Sequence, residues 1–233
     1  TGLDDDVEDI LLVDTKDMKD HLDLLKNMEN KSETIIKLEK DIKNPSELSG
    51  EKVIECTVPG NVELDLAAAG LLPEELYFGS NMRKCAQFET YAWWYEKEFD
   101  IDKESLSHNL YLHFKGVDCI AEYFLNGKKI GESNNMLTEY EFCIDDAKME
   151  KNILHVKIHS FVLCEHEEEF SERTLLINPY THQKSVEIRK APHQHGWDIL
   201  PRAVSGGIWR DVYLVTKEEV EFKQFSYKIW MTS

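Results

Sequence analysis

The feature that most narrows the fold is a two-residue periodicity that recurs between residues 90 and 160. In YAWWYEKEF, from Tyr91, the side chains of Trp93, Tyr95, Lys97 and Phe99 fall on one side of an extended chain. In NLYLHFKG, Leu110, Leu112 and Phe114 alternate with Tyr111, His113 and Lys115. In NILHVKIHS, Leu154, Val156 and Ile158 point one way and His155, Lys157 and His159 the other, the second set on a side expected to face solvent. Successive side chains of a strand project to opposite faces, so this pattern suits half-buried strands and breaks the period of a helix. In CIAEYFLNGKKIG, Asn126-Gly127 lies between two such runs. That dipeptide tolerates the positive φ angles of a tight primed turn, which predicts a β-hairpin.

The remaining segments extend the theme. Residues 51–59, EKVIECTVP, read as a strand closed by Pro59-Gly60. Val62, Leu64, Leu66 and Ala69 suit one short helix, with Asn61 as N-cap and Gly70 as its stop. Ser185 to Ile188, Gly207 to Val215 and one or two stretches within Glu219 to Trp230 read as further strands. Short strands with frequent turn signals and a single short helix predict an all-β sandwich and argue against βαβ units. Residues 1–50 differ: acids outnumber bases, aromatics are absent, and Leu22, Leu25 and Met28 fit a helix where Ile36 and Leu38 fit a strand. This acidic N-terminal segment is expected to pack on the sandwich or lead into it, with the sandwich itself at 51–218. A length of 233 residues with 42% hydrophobic content is enough for one large core.

Charge excludes some partners. The balance of 27 basic against 45 acidic residues, −18 overall, repels nucleic acid and anionic membranes. No run of about 18 apolar residues is present to span a bilayer. The opening TGLDDDVEDI is acidic and lacks a signal-peptide pattern, and the compartment stays open among secreted, periplasmic, lysosomal and cytoplasmic. Cys56, Cys85, Cys119, Cys143 and Cys164 are odd in number and widely spaced, which reads as scattered buried thiols, not a disulfide framework or a thiolate zinc site. Asn30-Lys31-Ser32 matches a glycosylation sequon, a match that also arises by chance. Phosphate-cradling, dinucleotide-binding, zinc-protease and nucleophile-elbow motifs are missing, so no cofactor is expected. Glycosidase chemistry needs two carboxylates roughly 5–5.5 Å or about 6.5–9.5 Å apart, and no such pair stands out.

The richest local constellation is RKAPHQHGWDILPRAVSGGIWRDVYL, from Arg189 to Leu214. Its Gly, Pro and His content predicts a long shaped loop before the last strand. Trp197 offers a flat apolar face and Asp198, beside it, two hydrogen-bond acceptors. A sugar presents C–H faces that stack on rings and hydroxyls that seek such acceptors. The plainer alternative has Trp197 plugging a core edge and Asp198 capping a turn. Arg202 could brace the loop by pairing with Asp198 or another carboxylate, and His195 is a second supporting candidate. His193 and His195 form an HxH pair that would hold a metal only with a third ligand, for which His182 and Asp198 are available. His155 and His159, near Cys164 and His166, form a second, weaker grouping, and no metal is expected at either. Arg210 could anchor the last strand against the acidic stretch Glu165 to Glu169, itself expected as solvated face or loop. Of the pair Trp93-Trp94, one ring must face the core and the other outward, as a sugar platform or against a covering loop or a neighbouring domain.

Four stretches, in order, carry a resemblance: TVPGNVELDLAAAGLLPEELYFGSN from Thr57, TYAWWYEKEFDI from Thr90, LHFKGVDCIAEYFLNGKKIGESNNMLTEYEFCI from Leu112, and GWDILPRAVSGGIWRDVYL from Gly196. The chain resembles the N-terminal domain of family 2 glycoside hydrolases, in the β-mannosidase branch. The resemblance implies a jelly-roll-like, galactose-binding-domain-like sandwich, with residues 219–233 starting the connection to an immunoglobulin-like domain that precedes a (β/α)₈ barrel. The barrel, which this chain does not contain, would hold both catalytic glutamates of a retaining mechanism. Trp197 would then form a wall of the pocket for the terminal sugar and Asp198 would accept hydrogen bonds from its hydroxyls, with no catalytic residue in this chain. The implied partners are the terminal sugar of a glycoside and the chain's own immunoglobulin-like and barrel domains. Departures bear on specificity. The branch usually reads Gly-Trp-Asp-Trp-Gly-Pro-Arg, where this chain has Ile199 and Leu200 before Pro201-Arg202. His193-Gln194-His195 stands where Tyr-Ser-Phe is common, and Asn81-Met82 where Asn-Glu is common. The usual opening strand with its tryptophan is not visible in residues 1–50. Two other functions compete: an independent carbohydrate-binding module, and a structural domain of a degenerate family member.

Overall fold

The alternating segments pair as their period requires. The computed structural model describes residues 10–14, 43–48, 52–167, 188–196 and 198–217. Among them are nine strands: β1 (Ile10–Asp14), β2 (Lys52–Cys56), β3 (Trp93–Phe99), β4 (Asn109–Phe114), β5 (Ala121–Leu125), β6 (Lys128–Ser133), β7 (Tyr140–Cys143), β8 (Asn152–Ile158) and β9 (Val212–Lys217). They form a six-stranded sheet in the order β2-β1-β3-β8-β5-β6 and a three-stranded sheet in the order β7-β4-β9. Every pairing between strands is antiparallel. The expected all-β sandwich is what forms.

The main core lies where the inward sets meet. Trp93, Tyr95, Tyr123, Val156 and Ile158 of the large sheet pack with Leu110, Leu112 and Phe114 of the small one. Asn126 and Gly127 take φ of 51° and 81° at the β5–β6 hairpin, as the dipeptide predicted. Asn126 is further tied by its amide oxygen, which accepts from the Ile153 backbone N–H at 3.0 Å. Gly131 on β6 admits no side chain: a Cβ there would lie 2.1 Å from Cε1 of Phe142, which spans from β7 to the core.

The short helix is α1 (Val62–Ala68), capped by Asn61, whose Oδ1 accepts from the Leu64 N–H at 3.0 Å. Gly70 follows at φ 73°. A second helix, α2 (Phe161–Glu167), corrects the reading of one helix only and takes in the start of the acidic stretch expected as solvated face or loop. The strand ILLVD at β1 was not singled out in the sequence, yet it sits inside the large sheet between β2 and β3. The last strand is shorter than the apolar run from Gly207. Gly207 makes a single bridge with Asp118, and pairing with β4 starts only at Val212. Arg189 likewise makes one bridge, with Asn135, where a strand ending at Ile188 was expected. Residues 185–187, the 17–42 stretch and 219–230 lie outside the described residues.

The far face of the large sheet is not open to solvent at its centre. His155 and Lys157 are buried, against the expectation of a solvent-facing side, because they pack on the Trp94 ring, which Leu48 covers. His155 Nε2 sits 2.8 Å from Glu96 Oε2, and the Lys157 ammonium lies over the Trp94 ring. Trp94 is itself fully buried against Phe124, with Leu48 packed over them. The two tryptophans thus point to opposite faces as alternation demands, and both faces are covered. His159, past the strand end, is partly exposed and pairs with Glu122 Oε2 at 3.0 Å.

Candidate functional site

The long loop before β9 is held at its base by a buried polar cluster. Asp118 lies in the otherwise apolar run GVDCI between β4 and β5. Its backbone pairs in both directions with Gly207: the Asp118 N–H donates to the Gly207 carbonyl at 2.8 Å, and the Gly207 N–H donates back at 3.2 Å. Gly207 also runs against the start of α1, where a Cβ would lie 2.8 Å from both Asn61 Cα and the Gly60 carbonyl oxygen. The Asp118 carboxylate therefore points from a backbone pinned on two sides.

Both of its oxygens are occupied. Oδ1 accepts from Lys190 Nζ at 2.5 Å and Oδ2 from Gln194 Nε2 at 2.9 Å. Asp118 and Lys190 are each only 4% exposed, so neither charge would be tolerated without the other. Lys190 Nζ also donates to the Ser205 carbonyl and lies 5.3 Å from the Phe161 ring centroid. Gln194 reaches the same residue: its Oε1 accepts from the Ser205 N–H at 3.1 Å. The Ser205 hydroxyl donates to Glu63 Oε2 on α1 at 2.6 Å. Burial pushes the Glu63 carboxyl up to about 7, with the Ser205 hydroxyl and the Lys190 charge pulling the other way.

Above this base runs the segment 191–204. Its first turn, Pro192–His195, is a 3₁₀ helix that ends at Gly196, whose φ is 99°. His195 is buried, with its ring 5.2 Å from that of Phe161, and its Nε2 has no hydrogen-bond partner. Burial first, then the Arg202 and Lys190 charges, bring its pKa down to about 4, so the ring is neutral at pH 7. His193 is exposed, so the HxH pair is split between solvent and interior. Among the described residues no group of three His, Cys, Asp or Glu side chains converges on a metal position.

Arg202 pairs with Glu89 and not with Asp198. Asp198 is exposed at the outer end of the loop, and Trp197 lies outside the described residues. Arg210 lies over the indole of its neighbour Trp209, 4.3 Å from the ring centroid, and the Trp209 N–H donates to the Met136 carbonyl. Beside the loop opens a cleft of about 490 Å³, with Tyr77, Met82, Met136, Leu200 and Trp209 in its walls and Asp118 and Gln194 at its base. Its rim is apolar and exposed: Tyr77 is 83% and Leu200 44% accessible. Glu63, Asp118, Lys190, Gln194 and Ser205 escaped the sequence reading as site residues. The one available signal was Asp118, a lone acid inside an apolar run.

Residues 37–210 match the family model described as glycosyl hydrolase 2 galactose-binding domain-like. Beta-mannosidase of Mus musculus is 33% identical over 172 residues, which cover 70% of this chain and 20% of that protein. Beta-mannosidase of Rattus norvegicus is 31% identical over 167 residues, 68% of this chain and 19% of that protein. Among solved structures, the beta-D-mannosidase from Dictyoglomus thermophilum superposes with a TM-score of 0.63 at 35% identity, over 75% of this chain and 21% of that one. The chain thus spans about a fifth of the length of the curated relatives it matches. With two antiparallel sheets and a matched stretch that takes in most of its length, the chain belongs to the glycosyl hydrolase 2 galactose-binding domain-like family.

Proposed function

We propose that this chain is the non-catalytic, sugar-facing domain of a β-mannosidase-like retaining glycoside hydrolase, and that its 196–202 loop completes the pocket for the terminal sugar. The observation that carries this reading is the contrast between the loop's two ends. Its base is fixed by a buried ion pair, while its outer end leaves Asp198 exposed, two residues before Leu200, which with Tyr77 lines an apolar cleft. An exposed acceptor close along the chain to an apolar wall suits a ring with hydroxyl edges and C–H faces. Trp197 serves as one wall, Asp198 accepts from the sugar hydroxyls, and Arg202 and His195 support the loop. The similarity to beta-mannosidases favours a mannoside, and the barrel and immunoglobulin-like domains are the partners inside the larger enzyme. Ile199 and Leu200 make the pocket wall aliphatic at two positions.

The test is Asp198→Ala in the full-length protein, assayed on 4-nitrophenyl β-mannoside. Loss of a hydrogen-bond acceptor to the sugar should cost about 2–4 kcal/mol of transition-state binding, roughly a 30- to 1,000-fold fall in kcat/KM. An unchanged kcat/KM would overturn the assignment.

A further inference from the structure

The geometry points to a clasp: Asp118, Lys190 and Gln194 close the neck of the 191–204 loop through Ser205, and so act as positioning residues for Asp198. This rests on the sugar-pocket reading and adds to it the residues on which the pocket's shape depends.

The hydrogen bonds divide in a way that a merely stabilising ion pair would not need. Asp118 uses its two oxygens on two residues of the loop's incoming arm, Lys190 and Gln194. Each of those then crosses to the outgoing arm at one residue. Lys190 donates to the Ser205 carbonyl, and Gln194 accepts from the Ser205 N–H. The Gln194 carbonyl adds a third crossing, accepting from the Ala203 N–H at 2.9 Å. Ser205 therefore has both backbone polar groups and its hydroxyl engaged, the last on Glu63 of α1. The anchor is rigid in turn, since Asp118 and Gly207 pair backbone to backbone and Gly206 accepts from the Val62 N–H at 2.9 Å. Among the described residues every hydrogen bond between the arms lies below the exposed residues 198–202, so the outer loop is a closed excursion with its two ends held side by side. Closing such a neck removes conformations that an open loop would sample, and a misplaced acceptor loses much of its effect on a transition state. Neither Lys190 nor Asp118 reaches the loop's outer end. The first has a fully buried side chain, and the second has both oxygens filled.

The experiment is a double-mutant cycle in the full-length protein, with kcat and KM measured on 4-nitrophenyl β-mannoside. Replacing both charges together, Lys190→Met with Asp118→Asn, leaves no unpaired buried charge and keeps the shapes. The clasp predicts a fall in kcat/KM of about tenfold in the wild-type background and less than about twofold when Asp198→Asn is already present. Gln194→Met, which disturbs no charge, should show the same dependence at a few-fold, and it decides the matter if the paired replacement fails to fold. A loss of equal size in both backgrounds, or no loss in either clasp variant, would overturn the clasp while a fall with Asp198→Asn alone leaves the sugar-pocket reading standing. Unchanged kinetics with Asp198→Asn would sink the sugar-pocket reading itself, and the clasp's role with it.

Discussion

Gly131 shows how much of this fold is decided by single atoms. Its backbone is ordinary strand, so conformational freedom is not what the position demands. The demand is space, because the Phe142 ring occupies the place of a Cβ and packs, tilted, at centroid distances of 4.5 Å from Tyr123 and 6.1 Å from Phe114. Gly131→Ala should therefore destabilise by about 1–3 kcal/mol, the usual cost of overpacking a filled core. Adding Phe142→Leu should make the double variant less unstable than the sum of the two singles, as read by urea denaturation. Additive losses would mean that the steric contact is not the cause. Asp118 is the contrasting case. It too was fixed by its neighbours, but nothing in the run GVDCI says that Lys190 and Gln194, more than 70 positions away, will take its two oxygens.

Helix α1 links the sheet edge to the site. Asn61 caps it, and Asn61→Ala should cost about 1 kcal/mol, seen as a lower Tm. Two turns' worth of helix also bring Glu63 onto Ser205, and this gives the domain opposing pH responses. Glu63 holds its proton up to about 7 when folded, against an ordinary value of 4.5. Its contribution to stability is fully present below pH 4.5 and is lost as pH rises through 7. His195 runs the other way. Its folded value of about 4 lies below the ordinary 6.5, so its contribution is present above pH 6.5 and is lost as pH falls through 4. Glu63→Gln should thus gain Tm relative to the wild type between pH 5 and pH 8, and His195→Gln should narrow its deficit between pH 7 and pH 4. Thermal melts across that range check both signs. Parallel curves for either variant and the wild type would rule out its assigned titration.

At the scale of the molecule, the cleft is open and one-sided. Its walls are apolar, its base polar groups are already paired, and the exposed Tyr77 and Leu200 line it without covering it. A domain that supplies part of a sugar pocket should bind poorly alone. Calorimetric titration of the isolated chain with mannose and mannobiose should give a Kd weaker than about 1 mM, equivalent to less than about 4 kcal/mol of binding free energy. Micromolar binding would instead favour a self-sufficient carbohydrate-binding module.

The sandwich was legible in the sequence because strand alternation is a local property: Trp93 and Tyr95, Leu110 and Leu112, and the Asn126-Gly127 turn announce themselves within a few residues. The cap at Asn61 and the family resemblance were readable for the same reason, as was the loop carrying Asp198. Alternation assigns two faces but does not say which is wet, so the burial of His155, Lys157 and Trp94 followed only from what the fold lays on that face, Leu48 and Phe124 among it. Strand β1, ILLVD, is an unbroken apolar run without alternation, which periodicity does not mark as a strand. The base of the site was hidden for a stronger reason: Asp118, Lys190, Gln194, Ser205 and Glu63 are brought together from four separate segments. Their meaning comes from low dielectric and mutual hydrogen bonding, which exist only once the tertiary fold has enclosed them.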